Sequence, residues 1–150
     1  MDEKTDLLAK EYVLLQNIID GFDARMLTIK TWSVTTSLAG IGAAFSYHVT
    51  ALLFISTAST ILFWQLEARW KTFQLAHYAR IMEIEDYFAG RTSEIVSLQM
   101  STSWGVSWKS NLSSTHSRSA QMIHVAAPHV FIGLVGVILI LLHYIAGISV

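Results

Sequence analysis

Residues 31–66 read TWSVTTSLAGIGAAFSYHVTALLFISTASTILFWQL and hold no Asp, Glu, Lys or Arg. A helix needs about 20 mostly apolar residues to cross the hydrocarbon core of a bilayer. This stretch is too long for one crossing and suits two. Its most polar point, Ser46-Tyr47-His48-Val49-Thr50, lies near the middle and marks a tight turn. The reading is a first span over 30–47 and a second over 50–67. Residues 119–150 are also free of Asp, Glu, Lys and Arg, and Val130 to Leu142 is unbroken apolar sequence. A third span is expected over 128–149, with Pro128 at its helix start, where a missing N–H costs nothing.

The composition agrees. Of the 150 residues, 53% are hydrophobic and 14% charged, and mean hydropathy is positive. A soluble domain carries about 25% charged residues. The net charge of -1 argues against a nucleic-acid binder, which usually has a basic excess. No direct nucleic-acid binding is expected. The absence of cysteine excludes disulfides, thiolate zinc and thiol nucleophiles. The opening Met1-Asp2-Glu3-Lys4 is acidic, so the first span is expected to act as its own insertion signal.

Orientation follows from the basic residues. Lys4, Lys10, Arg25 and Lys30 precede the first span; Arg69, Lys71, Arg80, Arg91, Lys109 and Arg118 fall between the second and third. The positive-inside rule then puts the N-terminus and the 67–127 segment in the cytoplasm, with the C-terminus outside.

Two cytoplasmic helices are expected to extend the first two spans. Over 5–30, Leu8, Tyr12, Leu15, Ile19, Phe22, Met26 and Ile29 follow alternating steps of four and three, a heptad seam. Over 67–89, Leu66, Trp70, Phe73, His77, Ile81, Ile84 and Phe88 line a matching face, and Gly90 is a natural stop. The fold class is therefore all-α: an integral membrane protein with three transmembrane helices and a cytoplasmic helical hairpin. The Ser-rich 90–127 segment reads as loosely folded. Its Met100, Trp104, Trp108 and Leu112, at steps of four, suggest a short helix on the inner leaflet with Trp104 and Trp108 interfacial. The alternation Val96, Leu98, Met100 also permits a strand.

No GxSxG, HExxH, Walker loop or dinucleotide fingerprint occurs. The six histidines match no metal-ligand spacing. No catalytic, cofactor-binding or metal residue is assigned, and the chain reads as non-enzymatic. Small residues mark the expected helix-packing faces: Thr36, Gly40 and Ala44 on the first span, Gly133 and Gly136 on the third. Where the first two helices leave the membrane, Asp23, Arg25, Glu67 and Arg69 share one level. They are expected to form a coupling collar through pairs such as Arg25 with Glu67 and Asp23 with Arg69.

The stretches Asp20-Gly21-Phe22-Asp23-Ala24-Arg25, Thr28-Ile29-Lys30-Thr31-Trp32-Ser33 and Phe63-Trp64-Gln65-Leu66-Glu67-Ala68-Arg69-Trp70-Lys71-Thr72-Phe73-Gln74 resemble those of small bacterial inner-membrane proteins. The plan over about residues 5–90 is similar to the two-span effectors of anti-phage systems, such as the SLATT group and retron-associated membrane effectors. The third span departs from that plan, and no functional residue is carried over. The resemblance implies an effector that oligomerises and permeabilises the inner membrane when a cytoplasmic protein or nucleotide triggers it. The alternative is a non-enzymatic anchor or scaffold for a soluble partner. The expected partners are the lipid bilayer, further copies of the chain and the trigger.

Overall fold

A computed structural model describes residues 2–146, with the side chains at 111–113 and 146 outside that description. Leu112 and the 147–149 end of the expected third span thus lie outside the described residues. Helix α1 runs Glu3–Tyr47, α2 Thr50–Phe88, α3 Met100–Gln121 and α4 Ile123–Ala146. Among the described residues there is no strand, so the fold is all-α. Residues 91–99 form a loop in which Leu98 takes a left-handed φ of 61°.

No proline interrupts α1 or α2, so the two helices pass through the change from charged to apolar sequence without a break. At 45 residues, α1 is about 68 Å long. It ends where His48 adopts φ 54°, and the Val49 N–H closes the turn on the Ala44 carbonyl at 3.1 Å. This left-handed cap reverses the chain at the expected place. The two helices then lie antiparallel along their length: Ser37 meets Ser59, Lys30 meets Glu67, Gln74 meets Asp23 and Tyr12 meets Glu85.

The heptad seam of α1 is buried as read, from Leu8 through Leu15, Ile19, Phe22 and Met26 to Ile29. It continues at the same spacing through Ser33, Ser37, Ile41 and Ala44, all buried. On α2 the buried face differs from the expected aromatic stripe. Leu66 and Phe88 are exposed, whereas Glu67, Gln74 and Arg80 are buried beside Ala68, Ile81 and Ile84. Each of the three polar chains has a partner on α1, and that satisfies its burial.

Two helices are long and apolar enough to cross a membrane, α2 and Ile123–Ile145 of α4. The expected first span, residues 30–47, falls short of that apolarity because Thr, Ser and Gly dilute it. Only 28% and 22% of the apolar stretches of α2 and α4 are buried within the fold. Leu38, Phe54, Ile55, Leu62, Phe131, Leu134 and Ile138 point outward, while Ser33, Ser37, Ser56 and Thr60 point in. We call this part the slab and the rest of α1 and α2 the stalk.

α4 begins at Ile123, so Pro128 lies inside the helix rather than at its start. α3 is a 22-residue helix that packs on the stalk. The Trp104 Nε1–H donates to the Phe73 carbonyl at 3.2 Å, and Trp108 lies 4.7 Å from the Phe73 ring. The serines did not preclude a helix, because the tryptophan stripe supplies a tertiary anchor that propensity alone does not register.

The small residues of the slab are used inside the chain. A Cβ on Gly40 would overlap Ser56 Oγ, one on Gly136 would overlap Thr57 Oγ1, and one on Gly133 would come within 3.1 Å of Thr60 Oγ1. Ala44 is buried against Leu53, whereas Thr36 is exposed and bonds back to the Trp32 carbonyl. Gly136→Ala should therefore destabilise the fold by about 1–3 kcal/mol, the usual cost of overpacking. Gly42→Ala, which meets open space, should stabilise by about 0.5–1 kcal/mol through helix propensity. Denaturant unfolding in detergent micelles checks both, and equal midpoints would refute the α2–α4 contact.

Candidate functional site

Glu67 stands where the stalk becomes the slab, and its side chain is fully buried. A lone carboxylate cannot remain charged there at tolerable cost. Its neighbours come from both other slab helices. His129 of α4 places Nε2 2.8 Å from Glu67 Oε2. Lys30 of α1 brings its ammonium 2.5 Å from Oε1. That contact lacks hydrogen-bond geometry, leaving Oε1 without a hydrogen bond, so Lys30 acts there by charge alone. The other imidazole nitrogen, Nδ1 of His129, lies 2.8 Å from Ser33 Oγ. Ser33 and His129 are 0% and 1% exposed.

In outline this is a Ser–His–acid relay. Ser33 lies in the middle of an unbroken helix, so no turn presents its Oγ and the nearby backbone N–H groups are committed to helix bonds. What the arrangement does is tie the positions of three helices together.

The expected collar pairs do not form. Glu67 is taken by Lys30 and His129. Asp23 accepts instead from Gln74 Nε2 at 2.8 Å, and Gln74 also donates to the Ile19 carbonyl at 3.1 Å. Arg25 lies over Trp70 and Phe22, 5.4 and 5.7 Å from the ring centroids, a cation–π stack. Arg69 is exposed. The four do not form one ring, because Asp23 lies about two turns and Arg25 more than one turn along α1 from Lys30, which takes Glu67. Trp104 and Trp108 stack on each other at 5.5 Å and 7° within the stalk's aromatic cluster.

A second buried ion pair locks the far end of the stalk. Arg80 holds Glu11 through two bonds of 2.8 and 3.0 Å and reaches Glu83 at 2.9 Å. Burial works against the Arg80 charge, but the Glu11 and Glu83 carboxylates outweigh it and raise its pKa further. Glu11 Oε2 also accepts the Leu98 N–H at 2.7 Å, and Arg80 donates to the Val96 carbonyl at 2.6 Å. The pair thereby fixes the 91–99 loop, left-handed Leu98 included. Sequence reading missed both clusters. Among the described residues no group of three or more His, Cys, Asp or Glu is arranged to hold a metal ion. No protein-family model matches this chain, and no curated protein or solved structure does so either.

Two outcomes are expected in the stalk. Glu11→Ala leaves the Arg80 guanidinium buried without its bidentate partner and should cost about 3–5 kcal/mol of stability, read by denaturant unfolding. Lys10→Ala removes only an exposed pair with Asp6 and should change little.

His77 packs between Phe22 and Trp104, and its Nδ1 is buried with no hydrogen bond. Burial lowers its pKa from the ordinary histidine value. As pH falls, the unfolded chain takes up this proton first, so the fold loses stability below about pH 6.5 and keeps the contribution above it. His77→Leu should flatten the fall in melting temperature between about pH 7 and 5. An unchanged slope would assign the pH response to other groups.

Proposed function

We propose that the chain is a membrane-embedded effector of the bacterial inner membrane. It oligomerises and permeabilises that membrane when triggered from the cytoplasm, in the manner of an anti-phage defence. The observation that carries this reading is the Lys30–Glu67–His129–Ser33 network. It draws on every slab helix, and two of those helices continue unbroken into the stalk. A displacement of the stalk is therefore a displacement of the network and of the slab above it. The effector reading assigns the chain no catalytic step.

Three crossings belong to the same proposal. If residues 50–67 of α2 cross a bilayer, residues 30–47 of α1 must lie at the same depth, because the two-residue turn at 48–49 and the Ser37–Ser59 contact hold them side by side. Thr and Ser are tolerated there because they face the helix contact or bond back to their own helix, as Thr31 does to the Leu27 carbonyl. The basic residues then place the stalk in the cytoplasm and the 48–49 turn outside.

Expression in a bacterium carrying a membrane-potential dye should give depolarisation and growth arrest when the neighbouring genes supply the trigger. No depolarisation under those conditions overturns the effector reading. A stable soluble partner recovered without toxicity would identify an anchor instead. Reporter fusions at residue 48 and beyond residue 146 should both report the outer side, and a cytoplasmic signal at either refutes the topology.

A further inference from the structure

The slab has a polar interior. Starting from Glu67 and His129, the contact between α1, α2 and α4 passes Ser33, then Ser37 with Ser59 at 3.3 Å, then Thr60, Ser56 and Thr57. Ser33, Ser37, Ser56 and Thr60 are each 7% exposed or less. Three glycines, Gly40, Gly133 and Gly136, stand opposite Ser56, Thr60 and Thr57 and put no side chain in front of those hydroxyls. Toward the turn the seam is interrupted by Ile41, Ala44 and Leu53, with Phe45, Leu139 and Ile140 packed against them. Beyond this apolar plug, Thr50 Oγ1 lies 3.4 Å from His143 Nε2.

We propose that this hydroxyl seam is a proton path, closed at rest by the Leu53 plug, and that the ion released by the triggered protein is the proton. The inference rests on the effector reading and names the species it conducts.

Close packing alone does not account for the seam. Small size is all that packing needs, and alanine supplies it at position 44. Nor does packing call for an imidazole at each end. The seam hydroxyls of α2, at Ser56, Thr57, Ser59 and Thr60, donate to carbonyls of their own helix, as Ser56 does to Leu52 and Thr57 to Leu53. Those bonds use the one donor of each hydroxyl and leave lone pairs to accept from water. No fixed charge lies between the two ends, since residues 31–66 and 119–150 contain none. At the stalk end the groups facing His129 are Glu67 of α2 and Lys30 and Ser33 of α1. Glu67 Oε1 is held there by the Lys30 ammonium and Oε2 by His129 Nε2, so the buried carboxylate is fully engaged at this end. At the turn end His143 faces Thr50 and the Tyr144 ring. An apolar constriction in a polar path blocks it by excluding water. Once the plug parts, a file of water joins the two imidazoles. A proton entering at one end is matched by one leaving at the other, and no bond changes in net.

The test uses the full chain in liposomes loaded with pyranine, under a potassium gradient with valinomycin. Leu53→Ser and Leu139→Ser each make the plug polar, and each is first shown to melt cooperatively in detergent. Proton influx should rise about tenfold over the unmodified chain, while entrapped carboxyfluorescein stays inside. Adding Ser37→Ala, Ser56→Ala and Ser59→Ala to Leu53→Ser should return the influx to its starting value. Folded plug variants with no added influx overturn the proton path, as does an influx that the three alanines leave unchanged. Carboxyfluorescein escaping in step with protons also overturns it. That last result, with depolarisation in cells, would leave the effector reading standing. Absence of depolarisation in cells would remove the effector reading itself.

Discussion

A carboxylate with no access to water, Glu67, fixes the geometry of this molecule. Its charge is tolerable only with counter-groups brought to it, and these come from the two neighbouring slab helices, Lys30 from α1 and His129 from α4. The requirement sets the depth of α4 against α2 and the register of α1 against both. Removing one partner from such a group costs more than the group contributes when intact. The network therefore serves chiefly to specify one arrangement of three otherwise greasy helices, whose apolar surfaces would slide past one another in lipid with little penalty.

Above that level the distribution of polarity is inverted relative to a soluble bundle. Hydroxyls and glycines occupy the helix contacts, and leucine, isoleucine and phenylalanine face outward. Below it the usual arrangement returns, with Leu8, Leu15, Ile19, Ile81 and Ile84 forming an apolar core. One pair of helices carries both patterns because the spacing of the buried face never changes. Only the chemistry of the residues on it does.

Much of this was legible in the sequence. The heptad positions of α1 and the turn at 46–50 follow from spacing and charge, which act locally. The buried face of α2 did not follow. Its aromatics look like a core, yet Glu67, Gln74 and Arg80 take the interior because distant residues complete them: Asp23 for Gln74, Glu11 for Arg80 and His129 for Glu67. The glycine faces were legible as contacts, but periodicity does not say whether the partner is the same chain. α3 hid behind its serines, because what stabilises it is the stacking of Trp104 and Trp108 on Phe73, a contact formed only after folding. One local sign of the relay was available: Lys30 and Glu67 bound the uncharged run 31–66 on either side, one on each helix of the hairpin.

The unbroken course of α2 through the level of Glu67 has a mechanical consequence. From Glu67 to Phe88 the helix extends about 32 Å into the stalk. A rigid rod pivoting by roughly 5° at that level moves its far tip by about 3 Å. The Glu11–Arg80 lock sits on that arm and ties it to the 91–99 loop. On the other side of the pivot Leu53 lies 14 residues from Glu67 along the same helix, so the same rotation displaces it by about 2 Å in the opposite sense.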